Sequence, residues 1–198
     1  SNPNNPVIGY RAFGEEKHLV TRKSLAYMKG LQDNGVMANA KHFPGHGDTE
    51  SDSHYTLPVI RHSQSRILDI DLYPYRELID EDLMSVMVAH LHIPSLDSEK
   101  NKATTLSKYV VTDLLKDQMN FGGLIFTDAL NMKGVSSYYK PGEVDLLALE
   151  AGNDILLYSE DVPKAKELII QAISEGKIVD DAGKVYAHAT ATCMILNQ

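Results

Sequence analysis

An α/β fold with a parallel sheet is what this sequence predicts, on three observations. Short apolar segments suited to strands alternate four times with longer segments of helical periodicity, the pattern of successive right-handed crossover units. One of them, Ser85 to His90, is an almost uninterrupted apolar run, as expected of a strand covered on both faces. The polar residues able to do chemistry follow the strand segments, at the ends where parallel sheets and barrels carry their sites. Alternation alone permits a doubly wound sheet and a barrel equally.

The elements follow in order. Residues 1 to 16 are rich in Asn, Pro and Gly and read as a loop. Leu19, Val20, Met28 and Leu31 recur near helical spacing and Gly35 supplies a stop, which predicts a helix from about Lys17 to Asn34. Val36 to Phe43 is the first strand. Ser63 is placed to cap a helical segment with apolar positions Ile67, Leu68, Leu72, Leu78 and Ile79, and Pro74 is expected to break it in two. The second strand, Ser85 to His90, leads into His90-Leu91-His92. Ser107 opens a helix with Val110, Val111, Leu114, Leu115 and Met119 inward, closed by Gly122-Gly123. Leu124 to Phe126 is the third strand. Pro141 suits the first turn of a helix through Leu149, Gly152 ends it, and Ile155 to Tyr158 is the fourth strand. Asp161 and Asp180 are expected to cap two closing helices.

Bulk properties narrow the function. With 198 residues and 43% hydrophobic content, the chain can bury a sizeable core as a single domain, 1–198. A net charge of −8 without any concentrated run of Lys and Arg argues against nucleic acid as a partner. No apolar run approaches the roughly 20 residues of a membrane span, and no export signal is visible. Cys193 is the single cysteine, which rules out an internal disulfide and suits a buried helix residue.

The densest chemistry lies in Lys41-His42-Phe43-Pro44-Gly45-His46-Gly47-Asp48-Thr49-Glu50-Ser51-Asp52-Ser53-His54. Three histidines, three acids and a lysine fall within these fourteen residues. Pro44, Gly45 and Gly47 stop any regular element, so the residues after Phe43 form a loop leaving a strand end. Taken by themselves, Asp-x-His in such a loop is ordinary turn chemistry, and Arg11 is an ordinary surface arginine. An aspartate at position 128, after the third strand, is equally well explained as the cap of a turn.

Lys41 to Gly47 with Asp52-Ser53-His54, Asn5-Pro6-Val7-Ile8-Gly9 with Arg11-Ala12-Phe13-Gly14, and Ile125-Phe126-Thr127-Asp128-Ala129-Leu130-Asn131-Met132 together resemble bacterial family 3 glycoside hydrolases of the β-N-acetylglucosaminidase (β-hexosaminidase) type. They occur in the family's order and span nearly the whole chain. The resemblance selects a (β/α)8 TIM barrel and implies that the four strands are its fifth to eighth. The domain is then a partial catalytic barrel lacking its N-terminal half, since the family's Asp-Gln-Glu-Gly-Gly segment has no counterpart here and a complete barrel takes about 250 residues.

The same resemblance implies a retaining exo-enzyme that removes terminal N-acetylglucosamine from cell-wall (peptidoglycan) fragments or related glycosides. Asp128 is the implied nucleophile, with Thr127 and Asn131 expected to position it. His54 is the implied acid/base, with Asp52 as its dyad partner. Histidine suits that role because its ordinary pKa of about 6.5 lets it give and take a proton near neutrality, and residues two apart on an extended loop can face the same way. Arg11, Lys41 and His42 are the implied sugar-binding residues. His46 and His90 are secondary candidates, better explained as a loop brace and a hydrogen-bonded histidine. No metal or cofactor is implied. The compartment stays open between the bacterial cytoplasm and the cell envelope or periplasm. Half a barrel leaves strand edges open at Val36 to Phe43 and at Ile155 to Tyr158. The chain is therefore expected to self-associate or to pair with its missing half, and to be inactive alone.

Two other functions fit the residues. His42, His46, Asp52, His54, His90 and His92 could be ligands of a hydrolytic metal centre, although Lys41 beside them disfavours a cation and no helical His-Glu-x-x-His occurs. A non-catalytic sugar-binding barrel is the other, against which stand Asp128, Asp52 and His54 together.

Overall fold

The computed structural model describes residues 9–49 and 57–178. Within them three strands, β1 (Asn39–Phe43), β2 (Ser85–Val88) and β3 (Leu124–Thr127), form a parallel sheet in the order β1-β2-β3. Asn39 pairs with Ser85 and Ser85 with Leu124, and the register slips between Lys41 and Phe43. That slip bends the end of β1 just where the polar loop begins. In β2, Ser85, Val86 and Val88 are buried, whereas Asn39 and Lys41 of β1 are exposed. β2 is thus the covered centre and β1 the edge.

The expected fourth strand is reduced to one bridge. Ile155 pairs in parallel with Phe126, and Thr127 N–H donates to the Ile155 carbonyl at 2.9 Å. The ladder then stops, because Leu157 N–H donates to the Thr127 hydroxyl instead of to backbone and Tyr158 turns away with φ 54°. The first strand also starts later than expected. Val36 and Met37 lie outside it, both about half exposed, and Val36 N–H turns back to the Leu31 carbonyl.

The first helix runs Lys17–Gln32, with Glu16 accepting from the amides of His18 and Leu19. Ser63 caps the next helical segment through its hydroxyl, which accepts from Arg66 N–H. The segment passes from Gln64–Arg66 into a wide turn at Ile67–Asp71 closed by Leu72 N–H to the Ile67 carbonyl. It breaks at Leu72. Pro74 then sits in the first turn of the helix Tyr73–Asp80, where its missing N–H costs nothing. The expected break is present, two residues earlier than the proline itself.

Ser107 opens the helix Tyr109–Gln118, whose Val110, Val111, Leu114 and Leu115 are at most 1% exposed. Each such side chain stabilises by about 1.5–3 kcal/mol relative to exposure. Glycine is needed at 123 for another reason than stopping this helix. A Cβ there would lie 2.4 Å from the Met84 carbonyl oxygen, so the chain can enter β3 beside β2 only without a side chain. Past β3 come a short helix Lys133–Ser136, absent from the sequence expectation, and the helix Glu143–Glu150. Asp161 caps Val162–Ser174 by accepting from Lys164 N–H. Asp180 and Cys193 lie outside the described residues.

The main core packs the sheet against the helices through Phe43, Val86, Val88, Leu114 and Ile125, and a smaller one holds Leu57, Leu106, Leu130, Val135 and Val144 beneath the turn after β3. Both cores therefore brace the carboxyl ends of the strands. No helix of the described residues is long and apolar enough to cross a membrane.

Candidate functional site

The strands deliver their polar residues to one end of the sheet. At β1, Phe43 is fully buried, edge-on to Tyr75 at 5.1 Å between ring centres, and this anchor fixes the direction in which His42 leaves the strand. At β3, Asp128 N–H donates to the Val88 carbonyl at 3.0 Å, and its Oδ1 accepts from Ala129 N–H at 2.9 Å. The other oxygen, Oδ2, faces His42 Nε2 at 3.9 Å, with the two side chains 21% and 11% exposed. That separation is too long for a hydrogen bond. Asp128 thus has one oxygen fixed by its own turn and one turned toward the mouth.

Burial pushes the His42 imidazole down to about 4, with Asp128 opposing and His46, Lys41 and Arg11 adding to the fall. It is neutral at pH 7 and offers one N–H donor and one acceptor. His46 stands beside it, ring centres 5.7 Å apart and nearly perpendicular. The Thr49 hydroxyl donates to the His46 carbonyl at 3.1 Å and lies 2.8 Å from its Nδ1. The contact closes the loop root on itself.

A cleft of about 610 Å³ opens between the helix Lys17–Gln32 and β1, the edge strand among the described residues, and Arg11, Lys41, His42 and His46 line it. Lys41 and Arg11 are exposed at its rim. Deeper along β1 the lining turns apolar at Met28, Leu31, Leu78 and Leu83. Asp128 adjoins this cleft through His42 rather than lining it. The structure thus brings Arg11, Lys41, His42, His46 and Asp128 to one end of the sheet. Asp52, His54 and the segment Asn5 to Ile8 lie outside the described residues.

His90 does not reach the cleft. It is fully buried, its Nε2–H donates to the Ala129 carbonyl at 3.0 Å and its Nδ1 lies 2.8 Å from the Thr105 hydroxyl. Burial holds its pKa below the usual histidine range. It therefore braces the turn that follows Asp128. Thr127 is buried and bonds Leu157 rather than Asp128, and Asn131 is exposed. The metal alternative finds no donor set among the described residues: no three His, Cys, Asp or Glu side chains converge there.

One cluster was not foreseen. Arg66 donates through Nη2 to Asp48 Oδ2 at 2.6 Å and through Nη1 to Asp71 Oδ2 at 2.5 Å. His62 Nε2 meets the same Asp48 oxygen at 3.0 Å. Burial, with Asp48 adding, raises the Asp71 carboxyl above its usual range while Arg66 opposes. The only sequence signal was Asp48 itself; the partners are distant in sequence, and Arg66 and Asp71 are five apart, a spacing that does not share a face in an ordinary α-helix.

The model for the glycosyl hydrolase family 3 N terminal domain matches residues 1–186. Beta-hexosaminidase A of Pseudoalteromonas piscicida is 39% identical over an alignment of 167 positions that covers 79% of this chain and 28% of that protein. A beta-hexosaminidase of Nitrosomonas eutropha is 36% identical over 176 residues, covering 89% of this chain and 50% of that protein. Among solved structures, a glycoside hydrolase family 3 beta-N-acetylglucosaminidase from Paenibacillus sp. str. FPU-7 superposes with a TM-score of 0.84 at 38% identity, covering 92% of this chain and 35% of that one. The chain thus spans half or less of the length of these relatives.

Proposed function

The chain belongs to glycosyl hydrolase family 3, and from that membership we propose that it forms strands five to eight of a TIM-barrel-type domain in a retaining exo-β-N-acetylglucosaminidase. The substrate is terminal N-acetylglucosamine on peptidoglycan fragments or related glycosides. The observation that carries the reading is the pose of Asp128, with Oδ1 tied to Ala129 N–H and Oδ2 left facing the mouth beside neutral His42.

In this mechanism Asp128 Oδ2 attacks the anomeric carbon while the glycosidic C–O bond breaks. His54 gives its proton to the departing oxygen, with Asp52 orienting the imidazole and stabilising its charged form. A covalent glycosyl ester on Asp128 results. His54 then takes a proton from water, whose oxygen attacks the same carbon and frees the carboxylate. Two inversions give net retention.

Arg11, Lys41 and His42 hold the sugar hydroxyls by hydrogen bonds and align the ring for attack. His42 suits this because it is neutral: it can donate to one hydroxyl or accept from another without pairing fully with Asp128. His46 keeps the loop root closed behind it. No cofactor takes part.

Product stereochemistry tests the reaction class. Proton NMR of an aryl β-N-acetylglucosaminide digest by the full-length polypeptide should show the β-hemiacetal first, with the α-form appearing only by mutarotation. First appearance of the α-form would refute retention.

A further inference from the structure

We propose that His46 is a positioning residue for nucleophilic attack: its buried ring, pinned in the loop root, holds the His42 imidazole off Asp128 and so leaves Asp128 Oδ2 free for the anomeric carbon. The inference rests on the functional reading above, which makes Asp128 the nucleophile.

His42 Nε2 stands 3.9 Å from Asp128 Oδ2, about 1 Å beyond hydrogen-bond reach. An imidazole and a carboxylate this close attract each other, and a carboxylate oxygen that accepts such a bond is the weaker nucleophile, its lone pair being shared. The gap therefore needs something to keep it. On the carboxylate side, Asp128 is fixed to its turn by Ala129 N–H on Oδ1 at 2.9 Å and by its own N–H on the Val88 carbonyl at 3.0 Å. On the imidazole side, fully buried Phe43 holds the backbone one residue on, and the His46 ring packs nearly perpendicular to that of His42, with 5.7 Å between centres.

His46 can act as a wall only if it does not give way. It is 5% exposed, and the Thr49 hydroxyl lies 2.8 Å from its Nδ1 and donates to its carbonyl at 3.1 Å. Both flanks are fixed as well. A Cβ on Gly45 would lie 2.9 Å from Asp71 Cβ, so the backbone there runs directly against Asp71. Asp48 accepts from Arg66 at 2.6 Å and meets His62 at 3.0 Å. Gly45, His46, Asp48, Arg66 and Asp71 line the cleft together.

Charge acts in the same direction as shape. The groups that bear on His42 are Asp128 from the turn after β3, His46 and Lys41 from its own strand and loop, and Arg11 from the segment before the first helix. Burial above all, then His46, Lys41 and Arg11, lower the His42 pKa to about 4, and Asp128 opposes them. Removing the His46 ring would admit water beside His42 and take away one of the groups that disfavour its charge. The His42 pKa would then rise, and its pairing with Asp128 would tighten as the pH falls.

The test uses the full-length polypeptide and three variants, His46→Ala, His46→Gln and His46→Phe. One measurement is the His42 pKa by NMR of isotope-labelled histidine, with His42→Gln giving the assignment. The other is the pH profile of kcat/KM on aryl β-N-acetylglucosaminides with poor and with strongly activated leaving groups. In His46→Ala and His46→Gln the His42 pKa should rise from about 4 by at least about one pH unit. At about pH 5.5, kcat/KM should fall roughly 10-fold or more on both substrates alike, since both need the nucleophile, and the loss should shrink toward neutral pH. His46→Phe keeps a ring against His42 and should stay within about threefold of the wild type. His46→Gln retains a partner for the Thr49 hydroxyl, so it decides the matter if His46→Ala does not fold. An unchanged His42 pKa in His46→Gln, or a loss confined to poor leaving groups, would overturn the proposal. A wild-type protein that cleaves no glycoside would refute the functional reading instead, while the titration still decides whether His46 holds His42 off Asp128.

Discussion

His42 Nε2 and Asp128 Oδ2 face each other at 3.9 Å across the mouth of the sheet, although their strands, β1 and β3, are separated by β2. The approach follows from parallel strands ending at one level, with the register slip at Lys41/Phe43 letting His42 lean over the centre. It also brings the protonation state of His42 to bear on the stability of the site.

The link has a sign. His42 titrates at about 4 in the folded chain against an ordinary 6.5, so between these values the unfolded state binds more protons. The stability that His42 contributes is fully present above pH 6.5 and is lost as the pH falls through 4. A shift of that size corresponds to on the order of 3 kcal/mol. Urea unfolding at pH 7, 5.5 and 4.5 should show a falling midpoint, and His42→Gln should flatten the fall. A variant as pH-sensitive as the wild type would show that other groups carry the effect; buried His90, whose pKa is also lowered, is the first alternative.

Replacing His54 in the full-length polypeptide should damage substrates with poor leaving groups far more than activated aryl glycosides, by roughly 100-fold or more. Asp52→Asn should show the same pattern more mildly. Steady-state kcat/KM on a leaving-group series reads this directly. Equal losses along the series would assign the pair to binding or structure.

The open edge of β1 gives a prediction about association. β1 ends the sheet among the described residues, and beside it the apolar lining of Met28, Leu31, Leu78 and Leu83 faces an open cleft. An unpaired edge over an apolar floor is a seat for another strand. The 198-residue chain by itself should form dimers or larger species in light scattering and should not hydrolyse an aryl N-acetylglucosaminide. A stable, active monomer would show that the site needs less of the barrel than proposed.

Much of this architecture was legible in the sequence because the signals were local. Helical spacing of Leu19, Val20, Met28 and Leu31, the capping hydroxyl of Ser63, the carboxylate of Asp161 and the apolar run at Ser85 each act within a few residues, and each is present in the fold. Non-local choices were not legible. Ile155 to Tyr158 has a strand's composition, but a buried hydroxyl, Thr127, captures its ladder bond at Leu157. His90 is the hydrogen-bonded histidine expected, but its partners Thr105 and Ala129 lie too far along the chain to be legible. Arg66 carried no signal at all, since its two carboxylates meet it through a wide turn and a loop eighteen residues away.

The central claim is that Asp128 forms the covalent intermediate, and trapping it is the most direct measurement. The full-length polypeptide should be incubated with a fluorinated aminosugar glycoside bearing a strongly activated leaving group, which slows release of the intermediate more than its formation. It should then be digested and mapped by mass spectrometry. The account predicts a stoichiometric adduct on the peptide containing Asp128, with none in Asp128→Ala, a variant that should otherwise unfold like the wild type because this side chain is 21% exposed at the mouth. An adduct on a different residue, or turnover with net inversion and no adduct, would contradict it.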